Sequence, residues 1–281
     1  MRPRPKRQNE VREPRRHPKR DDTGRSRPAG PGTASPSMIY GVLPVVEALR
    51  AGSRRIDKIV IADGAREHRL SEIMDLARAK GVAWDRVSRE SFAKLTDGNV
   101  NHQGVAAFTA AADYYSVDEV IDLADEIPLF VLLDGVEDPR NLGAILRTVE
   151  CAGADGVFLP DRRAVGLNET VAKSSAGAIE HTRVAKTTNL NRLIEDLKER
   201  NVWVVGTSVD ADTSYDQWDW TRPSALVLGG EGSGLHRLVA ENCDVLVKIP
   251  MYGKIDSLNV SVAAGVILFE ARRQRERGGK Q

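Results

Sequence analysis

The segment LFVLLDGVEDPRNLGAILRT, residues 129–148, contains two hydrophobic patterns of different period in direct succession. Leu129–Asp134 is a short, continuous apolar run, which is typical of strands buried on both faces of a parallel sheet. From Leu142 to Val149 apolar residues recur at the spacing of one helix face. A strand that passes directly into a helix predicts a βα unit, and the position of Asn141 predicts that it caps the helix.

Alternating strand and helix patterns extend from this segment in both directions. Downstream, strands are predicted at residues 202–206, 225–228 and 245–249, and helices at 190–197, capped by Asn189, and at 260–272. Upstream, strands are predicted at residues 56–62, 84–87 and 105–109, and helices from Pro44 to a stop at Gly52, from Leu70 to Gly81 and over 89–95. The alternation predicts an α/β fold in which helices cover a parallel sheet.

Composition divides the chain into four parts. Residues 1–37 are rich in Pro, Arg and Gly and carry 11 Lys or Arg against four acidic residues, so their net charge of +7 leaves −6 for the remaining 244 residues. This composition predicts a disordered basic tail with a polyanionic partner, the alternative being a solvated tail that only aids solubility. Residues 38–110 are predicted to form a compact α/β unit, residues 111–128 a linker with a capping box opening at Ser116, and residues 129–281 the larger unit.

Several classes of protein are excluded by what the sequence lacks. No apolar run approaches the roughly 18 residues of a membrane span, and the basic N-terminus has no apolar segment of a secretory signal. Cys151 and Cys243 lie far apart, and the five histidines form no ligand set, so we expect no metal. The two cysteines are predicted to be reduced and buried, as in a cytoplasmic protein.

Three segments of the larger unit follow predicted strands, which is where ligands gather in open α/β sheets. In the first, Arg147 lies in an otherwise apolar helix, so its guanidinium must be paired or face an anion, unless it reaches solvent. In the second, LVLGGEGSGL at residues 226–235, four glycines could let the backbone approach a flat ligand, or could form a tight structural turn. This segment has neither the spacing of a dinucleotide fingerprint nor the lysine of a P-loop.

The third segment, IPMYGKIDSLNVS at residues 249–261, opens a helix with small polar residues. Ser257, Asn259 and Ser261 could offer hydroxyl groups and free N–H groups to an anion or an adenine edge. The alternative is that they only cap the helix. Each of the three segments is ambiguous by itself, but their occurrence together and in this order is specific.

Together, N-L-G-x-x-x-R-T, L-G-G-E-G-x-G-L and I-P-M-x-G-x-x-x-S-L-N-V-S-V-A-x-G closely resemble the three signature motifs of the SpoU (TrmH-like) RNA ribose 2′-O-methyltransferases. The resemblance covers about residues 129–272. Upstream, IYGV at 39–42 and NHQGV at 101–105 are similar to landmarks of the family's N-terminal RNA-binding domain, whose fold is that of a small ribosomal protein. With this domain, the chain resembles the branch of the family that modifies guanosine in 23S ribosomal RNA.

The resemblance implies a parallel-sheet methyltransferase domain with a deep trefoil knot, a homodimer and S-adenosylmethionine as cofactor. Carried over by position, the residues that contact the cofactor would be Leu228, Gly229, Gly230, Ile249, Met251, Leu258, Asn259 and Val260. The reaction centre would consist of Asn141, Arg147, Glu231, Ser257 and Asn259. Neither the membrane nor a metal ion takes part in the activity that the resemblance implies.

A ribose hydroxyl is a poor nucleophile at neutral pH, so methyl transfer needs alignment and stabilisation of the developing alkoxide charge. We expect the positive charge of Arg147 to stabilise the developing alkoxide and to hold the neighbouring phosphate. We expect Glu231 to orient Arg147 or Asn141. Two other functions compete with ribosomal RNA methylation. The first is methylation of transfer RNA, whose enzymes often lack a domain like residues 38–110, and the second is a non-catalytic RNA-binding or ribosome-assembly factor.

Overall fold

The computed structural model describes residues 37–65, 67–96, 102–232 and 234–278 of the 281-residue chain, without the side chains of residues 67–69. The predicted disordered tail, apart from Ser37, lies outside the described residues. Two motif positions, Asn101 and Ser233, also lie outside them.

The N-terminal part forms a four-stranded sheet in the order β1-β4-β2-β3. Strand β4 is antiparallel to β1 and β2, whereas β2 and β3 are parallel. Its elements are β1 (Ser37–Tyr40), α1 (Val42–Ala51), β2 (Ile56–Ala62), α2 (Glu67–Lys80), β3 (Trp84–Val87), α3 (Arg89–Leu95) and β4 (Val105–Thr109). The predicted bounds of β2, β3, α3 and β4 are confirmed, and Gly52 ends α1 in the left-handed conformation at φ 64°.

A short helix, α4 (Val117–Asp122), precedes the second sheet. The predicted capping box is confirmed, since the Ser116 hydroxyl accepts from the Glu119 N–H at 3.2 Å and the Glu119 carboxylate accepts from the Ser116 N–H at 2.7 Å. These hydrogen bonds to the charged carboxylate lower the pKa of Glu119. The side chain of Val120 is fully buried, so this helix packs on the second sheet.

The second sheet has seven strands in the order β7-β6-β5-β10-β8-β11-β9, and all of its described pairs are parallel. Its strands are β5 (Leu129–Asp134), β6 (Gly156–Pro160), β7 (Val184–Thr187), β8 (Trp203–Thr207), β9 (Thr213–Ser214), β10 (Ser224–Gly229) and β11 (Val245–Lys248). The helices are α5 (Pro139–Ala152), α6 (Glu169–Ser174), α7 (Leu190–Glu199), α8 (Arg237–Asn242) and α9 (Val260–Gly278), with a 3₁₀ turn at Ala178–Glu180. The α/β class and the parallel sheet are confirmed.

Strand β5 is buried on both faces. Leu129, Val131 and Leu133 belong to one hydrophobic core, and Phe130 and Leu132 belong to the core on the opposite face. Burial of a large apolar side chain contributes roughly 1.5–3 kcal/mol, so a strand covered on both sides gains from every position. This explains why the sequence of β5 is a continuous apolar run and does not alternate.

The start of α5 differs from the prediction. Asn141 does not cap this helix, because the Asp138 carboxylate accepts from the Arg140 N–H at 2.7 Å and Pro139 occupies the first helical position. Proline is favoured there because its fixed φ suits the helix and its missing N–H would have no helical partner. Asn141 therefore lies within the first turn, where it is 8% exposed.

For Arg147 the sequence left open whether the guanidinium is paired, faces an anion or reaches solvent. The buried residues of this helix include Leu142, Ile145, Leu146 and Val149, whereas Arg147 is exposed. It has no hydrogen bond or ion pair to any residue that the structure describes. In a single chain, Arg147 therefore reaches solvent.

The two sheets are joined through a buried ion pair. The Glu180 carboxylate accepts from Arg54 at 2.5 and 3.0 Å and from the Ser53 hydroxyl at 2.6 Å. The side chains of Arg54 and Glu180 are only 4% and 2% exposed. Nearby, the Met38 N–H donates to the Glu169 carboxylate at 3.0 Å, so β1 is also hydrogen-bonded to α6, one of the helices that accompany the second sheet.

The cysteines are free, and Cys151 is exposed on α5, so the prediction that both are buried is wrong for Cys151. Burial raises the pKa of Cys243 to about 12. Within the described ranges, no helix is both long and apolar enough to cross a bilayer. The same ranges contain no group of three or more His, Cys, Asp or Glu residues placed to hold a metal ion.

Candidate active site

The first and second motif loops leave the sheet side by side. Strands β5 and β10 are parallel neighbours with Asp134 in register with Gly229, so the two following loops start at the same level. The Gly230 N–H donates to the Asp134 carbonyl oxygen at 2.7 Å and ties the loops together. This register explains how residues almost one hundred positions apart in the sequence meet at one sheet edge.

Three of the predicted reaction-centre residues form a closed hydrogen-bonded group, which we call the Asn–Glu–Asn triangle: Asn141, Glu231 and Asn259. The Asn141 amide donates to Glu231 Oε1 at 2.5 Å. The Asn259 amide donates to the same Oε1 and to Asn141 Oδ1, both at 3.0 Å. One side chain from each of the three motifs is thus fixed against the other two.

Asn259 is fixed from a second side by the start of α9. Its Oδ1 accepts from the Ser261 backbone N–H at 2.9 Å and from the Ser261 hydroxyl at 2.6 Å. The residue therefore acts as a helix cap and as a member of the triangle at the same time. With its Oδ1 occupied in this way, the amide group of Asn259 is oriented towards Asn141 and Glu231.

The glycines of the second motif are needed for close packing of backbone. A Cβ on Gly230 would lie 2.2 Å from the Gly135 carbonyl oxygen, and a Cβ on Gly229 would lie 2.1 Å from the Gly234 carbonyl carbon. We expected the backbone of Gly230 to approach a ligand, but the atom nearest to that position belongs to the first motif loop. A larger residue at 230 would disturb the loops whether or not a ligand is bound.

The residues predicted to contact the cofactor have different exposures. Leu228 and Val260 are buried at 1% and 6% exposure, whereas Ile249 and Met251 are intermediate and Leu258 is 41% exposed. The loop 249–259 therefore offers apolar side chains that a ligand can cover. The Glu231 carboxylate is exposed close by and carries the charge opposite to that of a sulfonium. This chemistry fits S-adenosylmethionine, which has a flat apolar base and a positive sulfur.

Two predicted reaction-centre residues are not part of the triangle. Ser257 is exposed and makes no hydrogen bond to a described residue, and Arg147 is exposed on α5 as noted above. Neither borders the cavity next to the triangle. Their assignments therefore stay predictions.

A cavity of about 360 Å³ adjoins the triangle, and one residue of its lining, His236, is paired with Asp134, which the sequence did not reveal. The Asp134 carboxylate accepts from His236 twice, from the ring Nδ1 at 2.9 Å and from the backbone N–H at 2.7 Å. Both residues are visible in the motif segments, Asp134 at the end of β5 and His236 after the glycine-rich loop. Their pairing depends on the sheet register and has no signal in the sequence.

Family models match most of the described chain. The model described as the SpoU rRNA Methylase family matches residues 128–269, and the model described as RNA 2′-O ribose methyltransferase substrate binding matches residues 38–115.

Two curated relatives are named 23S rRNA (guanosine-2′-O-)-methyltransferase RlmB. The protein of Ralstonia nicotianae is 43% identical over 239 residues, which are 85% of this chain and 96% of that protein. The protein of Xylella fastidiosa is 42% identical over 240 residues, 84% of this chain and 96% of its own length.

Solved structures of methyltransferases are also similar to this chain. The SpoU methyltransferase AviRb of Streptomyces viridochromogenes, in complex with AdoMet, has a TM-score of 0.71 at 27% identity and covers 86% of this chain and 91% of its own. The AdoMet-bound rRNA methyltransferase of Sinorhizobium meliloti has a TM-score of 0.68 at 28% identity, with 85% and 87% coverage.

Proposed function

We propose, from the premise that this chain belongs to the SpoU family of S-adenosylmethionine-dependent RNA 2′-O-methyltransferases, that it methylates a guanosine ribose of 23S ribosomal RNA. The relatives from Ralstonia nicotianae and Xylella fastidiosa carry this substrate in their names and are matched over 96% of their length. The observation that carries the proposal is the Asn–Glu–Asn triangle, because all three of its residues are intact and held together. We also propose that the protein acts in the cytoplasm, which fits a ribosomal RNA substrate.

We propose that the triangle orients the ribose so that its 2′-hydroxyl approaches the methyl group only in the aligned geometry. S-adenosylmethionine, when bound, supplies an electrophilic methyl group on a positively charged sulfur. The Glu231 carboxylate accepts both asparagine amides on one oxygen, which leaves the Oε2 atom to meet a positive charge or a hydroxyl proton. Alignment of this kind is worth several kcal/mol, because the reacting atoms must approach to about 3–3.5 Å.

Arg147 has a different role in the proposal. A guanidinium stays charged throughout the neutral pH range and can stabilise a developing alkoxide or hold a phosphate, but it is a poor proton acceptor. Because Arg147 is exposed and is not part of the triangle in one chain, the proposal needs a second copy to bring it to the site.

The exposed apolar residues support such a homodimer. Val262 and Phe269 on α9 are 50% and 51% exposed, and Tyr252 and Ile255 in the third motif loop are 96% and 75% exposed. Large apolar side chains concentrated on one loop and the following helix favour a covered surface. We propose that a second copy of the chain covers them.

We also propose that the C-terminal segment is knotted as in the family. The strand order places β10 between β5 and β8, with β11 on the far side of β8, so the chain passes β8 in going from β9 to β10 and passes it again in going to β11. The contact of Asn259 with both Asn141 and Glu231 brings the segment before α9 back to the first two loops, as a threaded segment requires.

The test is to map 2′-O-methyl marks in total RNA from cells with and without the protein, and to repeat the reaction with purified protein, S-adenosylmethionine and unmodified 23S ribosomal RNA. We expect one guanosine to lose its mark in the deletion strain and to regain it in vitro. A mark that disappears from transfer RNA would replace the proposed substrate. An unchanged map together with no binding of S-adenosylhomocysteine would indicate a non-catalytic RNA-binding protein.

A further inference from the structure

The cavity beside the Asn–Glu–Asn triangle has a size and position suited to the target nucleotide. Its volume of about 360 Å³ falls within the range of ligand sites, roughly 300–1,000 Å³. The lining residues come from the first and second motif loops, from the loop after β6 and from the start of α9: Gly135, Val136, Glu137, Asp138, Asn141, Arg163, Glu231, His236 and Val260. Two members of the triangle thus form part of its wall, so a ligand in the cavity lies next to the reaction centre.

Most polar groups of the lining are already used within the protein. Glu231 Oε1 accepts from the two asparagines, and the Asp138 carboxylate caps α5. Two charged groups are not used: the Glu137 carboxylate and the Arg163 guanidinium have no hydrogen bond or ion pair with any residue in the described part of the chain. They are available to a ligand.

The ring of His236 is the third available group. Because a carboxylate only accepts hydrogen bonds, the Nδ1 atom at 2.9 Å from Asp134 must carry a proton, and Nε2 of the neutral ring is then an acceptor. Asp134 is 6% exposed and accepts from the His236 backbone as well, so the ring is fixed at the cavity wall. A Cβ on Gly135 would lie 3.5 Å from His236 Cε1, which places the Cε1 edge of the ring at this cavity-lining residue.

Arg163 is held at the cavity by an unusual backbone. Its φ of 57° lies in the left-handed region, which costs an L residue roughly 1 kcal/mol or more and is concentrated at functional sites. The loop is fixed to the first motif loop by the Val165 N–H, which donates to the Val136 carbonyl oxygen at 3.3 Å.

These three groups have the hydrogen-bonding pattern of a guanine partner. Besides Glu231 Oε2, which the proposed function assigns to the reaction centre, the cavity offers the N–H donors of Arg163 and two acceptors, Glu137 and His236 Nε2. The pairing edge of guanine carries one acceptor, O6, and two neighbouring donors, the N1–H and the N2 amino group, whereas adenine, cytosine and uracil each carry a single donor there. We propose that the cavity is the guanine subsite, in which Arg163 binds O6, His236 Nε2 binds the N1–H and Glu137 binds the amino group. This inference rests on the proposed function, and it identifies the residues that select the base.

The first test uses the wild-type protein alone. After the methylated position has been mapped, 23S ribosomal RNA is prepared by ligation with guanosine, inosine or adenosine at that position. Inosine retains O6 and N1–H and lacks only the amino group. We expect kcat/KM to fall at least tenfold from guanosine to inosine and further to adenosine, because Glu137 and His236, exposed in the chain alone and covered by the bound base, then lose hydrogen-bond partners.

Variants then separate the individual contacts. We expect Glu137→Gln to reduce the guanosine-to-inosine preference at least fivefold. Arg163→Asn, in which the new residue tolerates the left-handed backbone, should lower kcat/KM for guanosine and inosine by the same factor, since both contain O6. The matched control is Arg162→Asn, which removes the neighbouring charge outside the cavity. It should leave kcat/KM unchanged for both substrates. Binding of S-adenosylhomocysteine by calorimetry checks that each variant is folded.

The outcomes distinguish the subsite from the proposed function. A wild-type protein that methylates guanosine and inosine equally, or a Glu137→Gln variant that leaves the preference unchanged, would overturn the guanine subsite alone. A wild-type protein that methylates no guanosine of 23S ribosomal RNA would overturn the proposed function, and the subsite with it. Loss of preference in Glu137→Gln with normal cofactor binding supports the subsite.

Discussion

Arg147 and Glu231 are both exposed charged residues of the motifs, but only Glu231 is fixed by hydrogen bonds within the chain. The three members of the Asn–Glu–Asn triangle could be singled out from the sequence, because each belongs to a motif with a distinctive spacing, whereas their mutual hydrogen bonds could not. The pairing of Asp134 with His236, 102 residues later, could not, since it depends on the register of β5 and β10. A residue's membership in a motif is therefore visible in the sequence, but its contacts require the fold.

The role of Arg147 gives the first prediction. We expect Arg147→Ala to abolish methylation and to leave the affinity for S-adenosylmethionine within a few-fold, because the side chain makes no contact that supports the cofactor loops. Single-turnover methylation and calorimetry provide the two measurements. Arg140→Ala, a nearby exposed arginine of the same helix, is the control. Activity that survives within tenfold, a loss below about 1.4 kcal/mol, would remove Arg147 from the reaction centre.

Leu258 gives a more direct test of the cofactor site than Gly230, whose neighbours are backbone atoms. Leu258 is 41% exposed in the chain alone and is predicted to be covered by the cofactor. We expect Leu258→Ala to raise the Kd for S-adenosylhomocysteine about five- to tenfold by loss of apolar contact. Leu238→Ala on α8, where the native side chain is 55% exposed, should leave that Kd unchanged. If both variants bind alike, Leu258 does not line the site.

At the scale of elements, strands with their own strong pattern could be predicted to the residue. Strand β5 is an example, because all six of its residues are buried and the first five are apolar. Strand β9 could not, since Thr213–Ser214 is too short to show a period and exists through pairing with β11. The start of α5 was misplaced because Asp138 and Asn141 are both suitable caps, and only the proline between them decides.

The contact between the two sheets also lies at this scale and carries the third prediction. Arg54→Ala would leave the Glu180 carboxylate without its main partner at an interface where it is 2% exposed. We expect the free energy of unfolding to fall by about 3–5 kcal/mol, as for other broken buried ion pairs. The control is the adjacent Arg55→Ala, which breaks a pair between exposed side chains and should cost at most about 1 kcal/mol. Urea unfolding of both variants gives the comparison, and equal losses would show that the Arg54 pair does not stabilise the docked arrangement.

For the whole molecule, the division of charge separates capture of RNA from its recognition. Residues 1–37 carry a net charge of +7, and the remaining 244 residues sum to −6, so the tail concentrates the attraction for a polyanion. Residues 38–110 have instead a sheet, helices and a buried attachment to the second sheet, which allow a defined surface. We therefore expect the folded unit to select the RNA and the tail to strengthen its capture.

Deletion of residues 1–36 tests this division. Each phosphate that the tail neutralises contributes about 0.7–0.9 to the slope of log affinity against log salt, so the deletion should flatten that slope. It should weaken the binding of cognate and unrelated RNA by the same factor and leave the methylated nucleotide unchanged, because contacts to phosphate groups carry no sequence information. A full-length protein whose tail arginines and lysines are replaced by glutamine is the matched control for length and should behave like the deletion. The measurements are RNA affinity at several salt concentrations and mapping of the modified site. If the deletion moves or erases the methylation site while the salt slope stays constant, the tail contributes specificity and the folded unit alone does not select the RNA.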